Sequence, residues 1–184
     1  MSSRDVQIHG YAIVSGDDRI ADFEGATPQS LRNDADWVYF QRELDRAHVV
    51  ALGRLGHEAN ANVKRRRRLV LSSQARGLER RGDAWWWDPA KAPWREVTGT
   101  LLPNGGRVAV AGGQGVFDLF MAIGYHAFHL SRAHRVLLGG GRALFAACDP
   151  ALSAEAALTG AGLSPGAEEI IDASADVALT VWRR

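Results

Sequence analysis

Four stretches of this sequence carry residue types and spacings that could do chemistry. Gly112-Gly113-Gln114-Gly115 follows the apolar run RVAVA and opens a helical pattern. Three of its four positions have no side chain, so free backbone N–H groups at a helix start could meet a pyrophosphate. The spacing is not that of the GxGxxG dinucleotide fingerprint, and a plain turn explains the glycines about as well. Gly53-Arg54 follows the run HVVAL. Glycine there would let the backbone approach a phosphate, and arginine would offer a planar charged donor. Taken alone, the pair fits an ordinary strand-to-helix turn more readily. Ser72-Ser73 ends the run RRLVL; two hydroxyls at a strand end could bind a 2′-phosphate beside Arg54 or Arg76, or simply begin a loop.

The fourth stretch supplies an acid. Asp36 falls in the first turn of a helical pattern, with Phe40 four residues on and so on the same face. Acids favour helix amino ends through the helix dipole, which would by itself account for it. A carboxylate held in an apolar pocket beside Phe40 would instead have a raised pKa, and could hold or relay a proton near neutral pH. Both readings stand at this point. The run Arg65 to Arg68 reads as a solvated turn, too short to argue for nucleic acid. His126, His129 and His134 have no metal-ligand spacing and no cysteine or acid joins them, so no metal is expected.

The elements that must position these residues follow from periodicity. Short apolar runs predict strands over Val6 to Val14 (closed by the turn Ser15-Gly16-Asp17-Asp18), His48 to Leu52, Arg68 to Leu71, Arg107 to Ala111, Ala127 to Ala133 and Val177 to Trp182. Helices are predicted over Asp34 to Ala47, Gly115 to Ile123 and Ala151 to Gly160. The first would turn Trp37, Phe40, Leu44 and Ala47 inward, with Asn33 or Asp34 as N-cap. Strands alternating with helices imply an α/β domain with a largely parallel sheet, whose ligands bind at the carboxyl ends of the strands. Gly53 onward and Gly112 onward are therefore the places to look. The segment around Trp85 to Trp87, Pro89, Pro93 and Trp94 receives no assignment.

Composition sets the outer bounds. The 184 residues suit a single domain spanning 1–184, large enough for a real core. A formal charge of +1 gives no electrostatic reason for a nucleic-acid or membrane partner. Cys148 is the single cysteine, which excludes an internal disulfide and suits a reducing compartment. With no signal-peptide pattern and no membrane-length apolar run, a cytoplasmic protein is expected.

Taken in order, Ala12 to Ala21 (AIVSGDDRIA), Asp36 to Arg42 (DWVYFQR), Val49 to Arg54 (VVALGR), Arg67 to Gln74 (RRLVLSSQ), Val108 to Phe117 (VAVAGGQGVF) and His129 to Ser131 (HLS) form one pattern. That pattern resembles the dihydrofolate reductase family, whose relatives include the reductase domain of riboflavin biosynthesis. The resemblance covers roughly residues 6 to 145, with a fainter match in the last strand and a poor one from Trp85 to Gly105.

The resemblance implies a dihydrofolate reductase-like domain, with a mixed, mostly parallel central sheet flanked by helices, and NADPH as cofactor. It implies that Asp36 is the active-site carboxylate, Phe40 the aromatic packed on the substrate ring and Ser131 the hydroxyl bonded to the acid. Ala12 and Ile13 would meet pterin and nicotinamide through their backbone. Ile20 and Ala21 would contact nicotinamide, and Gly53, Arg54, Ser72 and Ser73 the adenosine 2′-phosphate side. Gly112, Gly113, Gln114 and Gly115 would receive the pyrophosphate, and Arg66 a folate carboxylate. The expected activity is reduction of dihydrofolate to tetrahydrofolate by hydride transfer. The alternatives are a riboflavin-pathway 5-amino-6-(5-phosphoribosylamino)uracil reductase-like enzyme and a non-catalytic nucleotide-binding module. The expected partner is a small pterin or pyrimidine, and a homodimer is allowed. Departures include Asp22 to Arg32, which lacks the family's tryptophan-proline pair, Ala111 in place of a larger aliphatic, and Gly115 where arginine or glutamate is usual.

Overall fold

Strand β1 (Val6–Ser15) buries Ile8 and Val14 on one face and Tyr11 on the other, the mark of a strand covered on both sides. It lies in the interior of a nine-stranded sheet in a computed structural model that describes residues 5–148 and 151–184. The chain then runs through β2 (Arg19–Ala21), α1 (Asp34–Asp45), β3 (Val49–Gly53), α2 (Arg54–Ala59) and β4 (Arg68–Leu71). It continues through β5 (Leu78–Arg81), β6 (Ala84–Trp87), α3 (Trp94–Leu101), β7 (Gly106–Val110) and α4 (Gln114–Ile123). The last elements are β8 (Ala127–Ala133), β9 (Arg142–Ala143), α5 (Ala154–Gly160), β10 (Ser164–Asp172) and β11 (Val177–Arg183).

The order across the sheet is β10-β11-β8-β1-β7-β3-β4-β6-β5. The six strands from β8 to β6 are parallel neighbours. Antiparallel pairs close the two edges, β5 on β6 and β10–β11 on β8. The sheet is therefore mixed and mostly parallel, as expected. Helices cover both faces. The larger core joins Ile8, Val108, Val110 and Leu130 of the strands to Val97 of α3, Phe117 and Phe120 of α4 and Leu158 of α5. On the opposite face, Leu44 and Phe40 of α1 pack against Tyr11, Val50 and Ala109. Among the described residues, no helix is long and apolar enough to cross a membrane.

Two expectations need correcting. Trp37 does not face inward: it is 57% exposed. The inward stripe of α1 is instead Asp36, Tyr39, Phe40, Glu43 and Leu44, spaced by three and four; two of its members are acids, which a hydrophobic count cannot register. The third predicted helix begins at Ala154 and not at Ala151, because the Ser153 hydroxyl caps it by accepting from Ala156 N at 3.1 Å.

The unassigned tryptophan segment is an edge hairpin followed by a helix. Trp87 is buried and donates its indole N–H to the Ala92 carbonyl at 2.9 Å, while Trp86 carries the Arg81 guanidinium 4.9 Å from its ring centroid.

Candidate active site

The two glycine turns, about sixty residues apart in sequence, form one surface. Strands β3 and β7 are parallel neighbours with Val50 beside Ala109 and Ala51 beside Val110, so both end at the same edge. Past that edge, Gly53 N donates to the Gly112 carbonyl at 3.0 Å. A Cβ on Gly53 would lie 3.6 Å from a Val116 methyl and 3.9 Å from Gly113 N, so the chains meet closely here. Gly112 has φ +107° and its absent Cβ would sit 3.0 Å from the Phe117 ring, so this position requires glycine. The Gly112–Gly113 peptide is cis.

Gly113 is the N-cap of α4 and no side chain caps that helix. A Cβ on Gly113 or on Gly115 would meet nothing within 4 Å, so the helix start stands open. The Gln114 side chain turns aside and donates to the Ala143 carbonyl at 3.0 Å. That bond anchors β9, and β9 pairs with β2, which carries Ile20 and Ala21. A short ribbon thus stands beside the open helix start.

Strand β4 lies on the other side of β3, with Gly53 opposite Leu71, so Ser72 and Ser73 emerge at the same edge as Arg54. Ser72 Oγ accepts from Gln74 N at 3.2 Å, and Ser73 is exposed. Arg54 is half-exposed and pairs with Glu58 at 2.9 Å. Lys91 also reaches this corner, where its ammonium donates to the Ala75 carbonyl at 2.8 Å and pairs with Asp88 at 2.9 Å. Nothing in the sequence pattern singled it out.

Asp36 sits in the first turn of α1, fixed by the Asn33 side chain, whose Oδ1 accepts from Asp36 N at 3.0 Å. Asn33 is itself held by a 2.8 Å bond from its amide to Asp172. Ser131, 1% exposed on β8, lies in register beside Ile13, and its hydroxyl acts on the Asp36 carboxyl. Burial raises the Asp36 pKa above the ordinary carboxylate value, and the Ser131 hydroxyl offsets part of that rise. Asp36 thus stands in the first turn of α1, where the helix dipole favours an acid, and is at the same time largely buried. Phe40 forms a wall, its ring 6.3 Å from Tyr11 and 6.0 Å from Trp37. Ile13 faces the acid's side of the sheet, whereas Ala12 packs toward the larger core.

Arg66 is not grouped with the acid. It donates to Asp45 Oδ1 from Nε at 2.9 Å and to Gln41 Oε1 from Nη2 at 2.9 Å, on the flank of α1. Asp45 lies nine residues beyond Asp36, roughly 13 Å along the helix axis.

The neighbourhood also contains polar groups that sequence reasoning missed. Tyr39 Oη lies 2.5 Å from His129 Nδ1, and His129 Nε2 lies 3.3 Å from His9 Nδ1. Tyr11 stacks on the His129 ring at 4.4 Å between centroids. Burial, then the nearby His9, Arg183 and Arg107, lowers the His129 pKa to about 3. Burial and Arg107 lower His9 to about 4, while burial pushes Tyr39 up to about 12. Glu43, 4% exposed, accepts from Arg46 at 2.8 Å at the far end of the same stripe. In the sequence His129 stood in the strand pattern AFHLSRA, in the HLS stretch of the resemblance and among three histidines without metal-ligand spacing, but none of these gave it a place beside the acid.

No family model matches this chain, and no curated protein matches it in sequence. Solved structures do match in shape. One is a dihydrofolate reductase from Enterococcus faecalis complexed with NADP(H) and RAB-propyl, at TM-score 0.67 and 15% identity, covering 97% of this chain and 96% of that one. The fold is that of dihydrofolate reductase. A protein ascribed to riboflavin biosynthesis from Shewanella sp. PV-4 matches at TM-score 0.66 and 18% identity, over 97% of this chain and 99% of that one. A diaminohydroxyphosphoribosylaminopyrimidine deaminase/5-amino-6-(5-phosphoribosylamino)uracil reductase from Thermotoga maritima matches at TM-score 0.67 and 13% identity. That match covers 99% of this chain and 57% of the Thermotoga chain. At these identities the likeness concerns the fold, and the site must be argued from its own residues.

Proposed function

We propose that this protein is an NADPH-dependent reductase that delivers a hydride to a C=N carbon of a pterin or a related pyrimidine. The observation that carries the reading is the joining of the two glycine turns by the Gly53–Gly112 bond, on a sheet edge that also presents Asp36 held by Ser131. The open start of α4 suits the pyrophosphate of a dinucleotide, with Gly112, Gly113, Gln114 and Gly115 as the holding residues. Arg54, Ser72 and Ser73 would take the 2′-phosphate, and Ile20 and Ala21 would flank the nicotinamide. Bound NADPH supplies the hydride.

This chain's own contribution is alignment and a proton. Hydride addition leaves negative charge on the imine nitrogen unless a proton arrives. A carboxyl whose pKa is raised by burial can keep a proton at higher pH than an exposed one, so Asp36 is placed to protonate that nitrogen, directly or through water. Ser131 keeps the carboxyl oriented, and Phe40 offers a face on which a flat ring can pack.

Dihydrofolate is the first substrate to test. The second is a ribosylamino-pyrimidine, favoured by one observation: Arg66, which the family resemblance would give to a folate carboxylate, already spends its charge on Asp45. Loss of reduced-nicotinamide absorbance with each substrate separates the two. Asp36→Asn is expected to retain NADPH binding while turnover falls by about 10²–10⁴-fold. Unchanged turnover would remove Asp36 from the chemistry. NADPH binding without turnover on any pterin or pyrimidine would favour a non-catalytic nucleotide-binding module.

A further inference from the structure

The Ser131 hydroxyl of β8 acts on the Asp36 carboxyl of α1, and a hydrogen bond between Tyr39 and His129 joins the same two elements. Tyr39 lies three residues beyond Asp36 on α1, about 4.5 Å further along the axis and on the same face. His129 lies two residues before Ser131 on β8, about 6.6 Å away and also on the same face. The contacts Asp36–Ser131 and Tyr39–His129 are therefore two successive rungs between α1 and β8. The Asn33–Asp172 bond ties the cap of α1 to β10, and the Tyr39–His129 bond adds a tie to β8 further along the same helix.

We propose that Tyr39, through its hydrogen bond to His129, is a positioning residue that holds the amino half of α1 over β8 and so keeps Asp36 on Ser131. The packing of α1 makes this bond matter. Its most buried apolar anchor, Leu44, lies near its carboxyl end, against Tyr11, Val50 and Ala109. In the amino half Trp37 and Val38 point outward, and Phe40 is the one aromatic ring packed on the sheet there besides Tyr39 itself. That half is thus held chiefly by polar contacts.

His129 is a firm partner for such a bond. Its ring is stacked on Tyr11, and its second nitrogen meets His9, so it has no room to swing. The chain can run in either direction: Tyr39 O–H to Nδ1 with Nε2–H to His9, or the reverse with the other tautomers. Around the pair stand His9 of β1, Arg107 of β7 and Arg183 of β11, with Glu43 and Arg42 of α1 and Glu169 of β10 on the tyrosine side. Burial first, and then His9, Arg183 and Arg107, keeps His129 neutral at ordinary pH, so the bond is between a phenol and a neutral imidazole.

The inference rests on the reading of Asp36 as the proton-handling group only for its effect on turnover. Its direct test needs no activity: titration of the Asp36 carboxyl by carbon NMR in protein labelled at aspartate, assigned by loss of the signal in Asp36→Asn. Tyr39→Phe keeps the ring and removes the hydroxyl. With the rung gone, water reaches the carboxyl, and its pKa is expected to fall toward the ordinary carboxylate value. Turnover should fall about tenfold to a hundredfold with NADPH affinity unchanged, the cost of a misplaced group. Leu44→Ala is the control, since it weakens the same helix while leaving both rungs, and it should leave the titration where it was. His129→Phe attacks the rung from the strand side with the stack on Tyr11 kept, and serves if Tyr39→Phe does not fold. An Asp36 titration unmoved by the rung variants, or moved equally by Leu44→Ala, overturns the proposal. If the titration moves but Asp36→Asn turns over normally, the positioning stands and the catalytic reading fails.

Discussion

The histidine pair beside the site is expected to make this protein lose stability in mild acid. His129 is 7% exposed and its pKa is lowered from 6.5 to about 3. A histidine whose folded pKa lies below its unfolded one binds protons in the unfolded chain first. Its contribution is therefore fully present above pH 6.5 and is lost as the pH falls toward 3. Each pH unit in that window costs about 1.4 kcal/mol, so by about pH 4.5 His129 alone removes about 2.7 kcal/mol. That is a large part of an ordinary folding free energy of about 5–15 kcal/mol. His9, lowered to about 4, acts with the same sign, but it is half-exposed and its share is smaller. The assay is urea unfolding followed by tryptophan fluorescence at several pH values between 6.5 and 4.5, a window above most of the carboxylate titrations. Native protein should lose stability faster than His129→Phe by about 1.4 kcal/mol per pH unit. Parallel slopes for the two proteins would refute the argument, because they would mean that His129 titrates alike in the folded and unfolded chain.

Ser131→Ala removes the one hydrogen bond that lowers the Asp36 pKa, so the carboxyl should stay protonated to higher pH; a turnover profile whose alkaline limb does not move upward would contradict this. Gly112→Ala places a Cβ 3.0 Å from the Phe117 ring at φ +107°. About 1–3 kcal/mol of stability should be lost, and NADPH affinity with it, as read by unfolding and by quenching of intrinsic fluorescence. Trp87→Ala empties a fully buried indole site and strands the Ala92 carbonyl, and should cost about 3–5 kcal/mol in a chemical melt.

The strand runs were legible because parallel strands covered on both faces are continuous apolar stretches. β4 and β8 stand where periodicity put them, at Arg68–Leu71 and Ala127–Ala133. The edge hairpin β5–β6 and helix α3 were not legible. Three consecutive tryptophans have neither the alternation of a half-covered strand nor the spacing of a helix face, and the partner strand Leu78–Arg81 is mostly charged.

At the site, sequence by itself determined where glycine is needed and where one acid opens a helix, since backbone freedom and helix-end chemistry are local properties. It could not choose between Asp36 as a dipole partner and Asp36 as a pocket carboxylate. That choice depends on Ser131, some 95 residues away, and on burial, which belongs to the packed molecule. For the same reason the Tyr39–His129–His9 chain left no trace in spacing: its members come from α1, β8 and β1 and meet only when the helix settles on the sheet. The meeting of Gly53 with Gly112 is likewise a product of strand order, because β7 is inserted beside β3 from far along the chain. Local chemistry is written residue by residue, whereas pKa, charge pairing and the shape of a site depend on neighbours that only tertiary packing supplies.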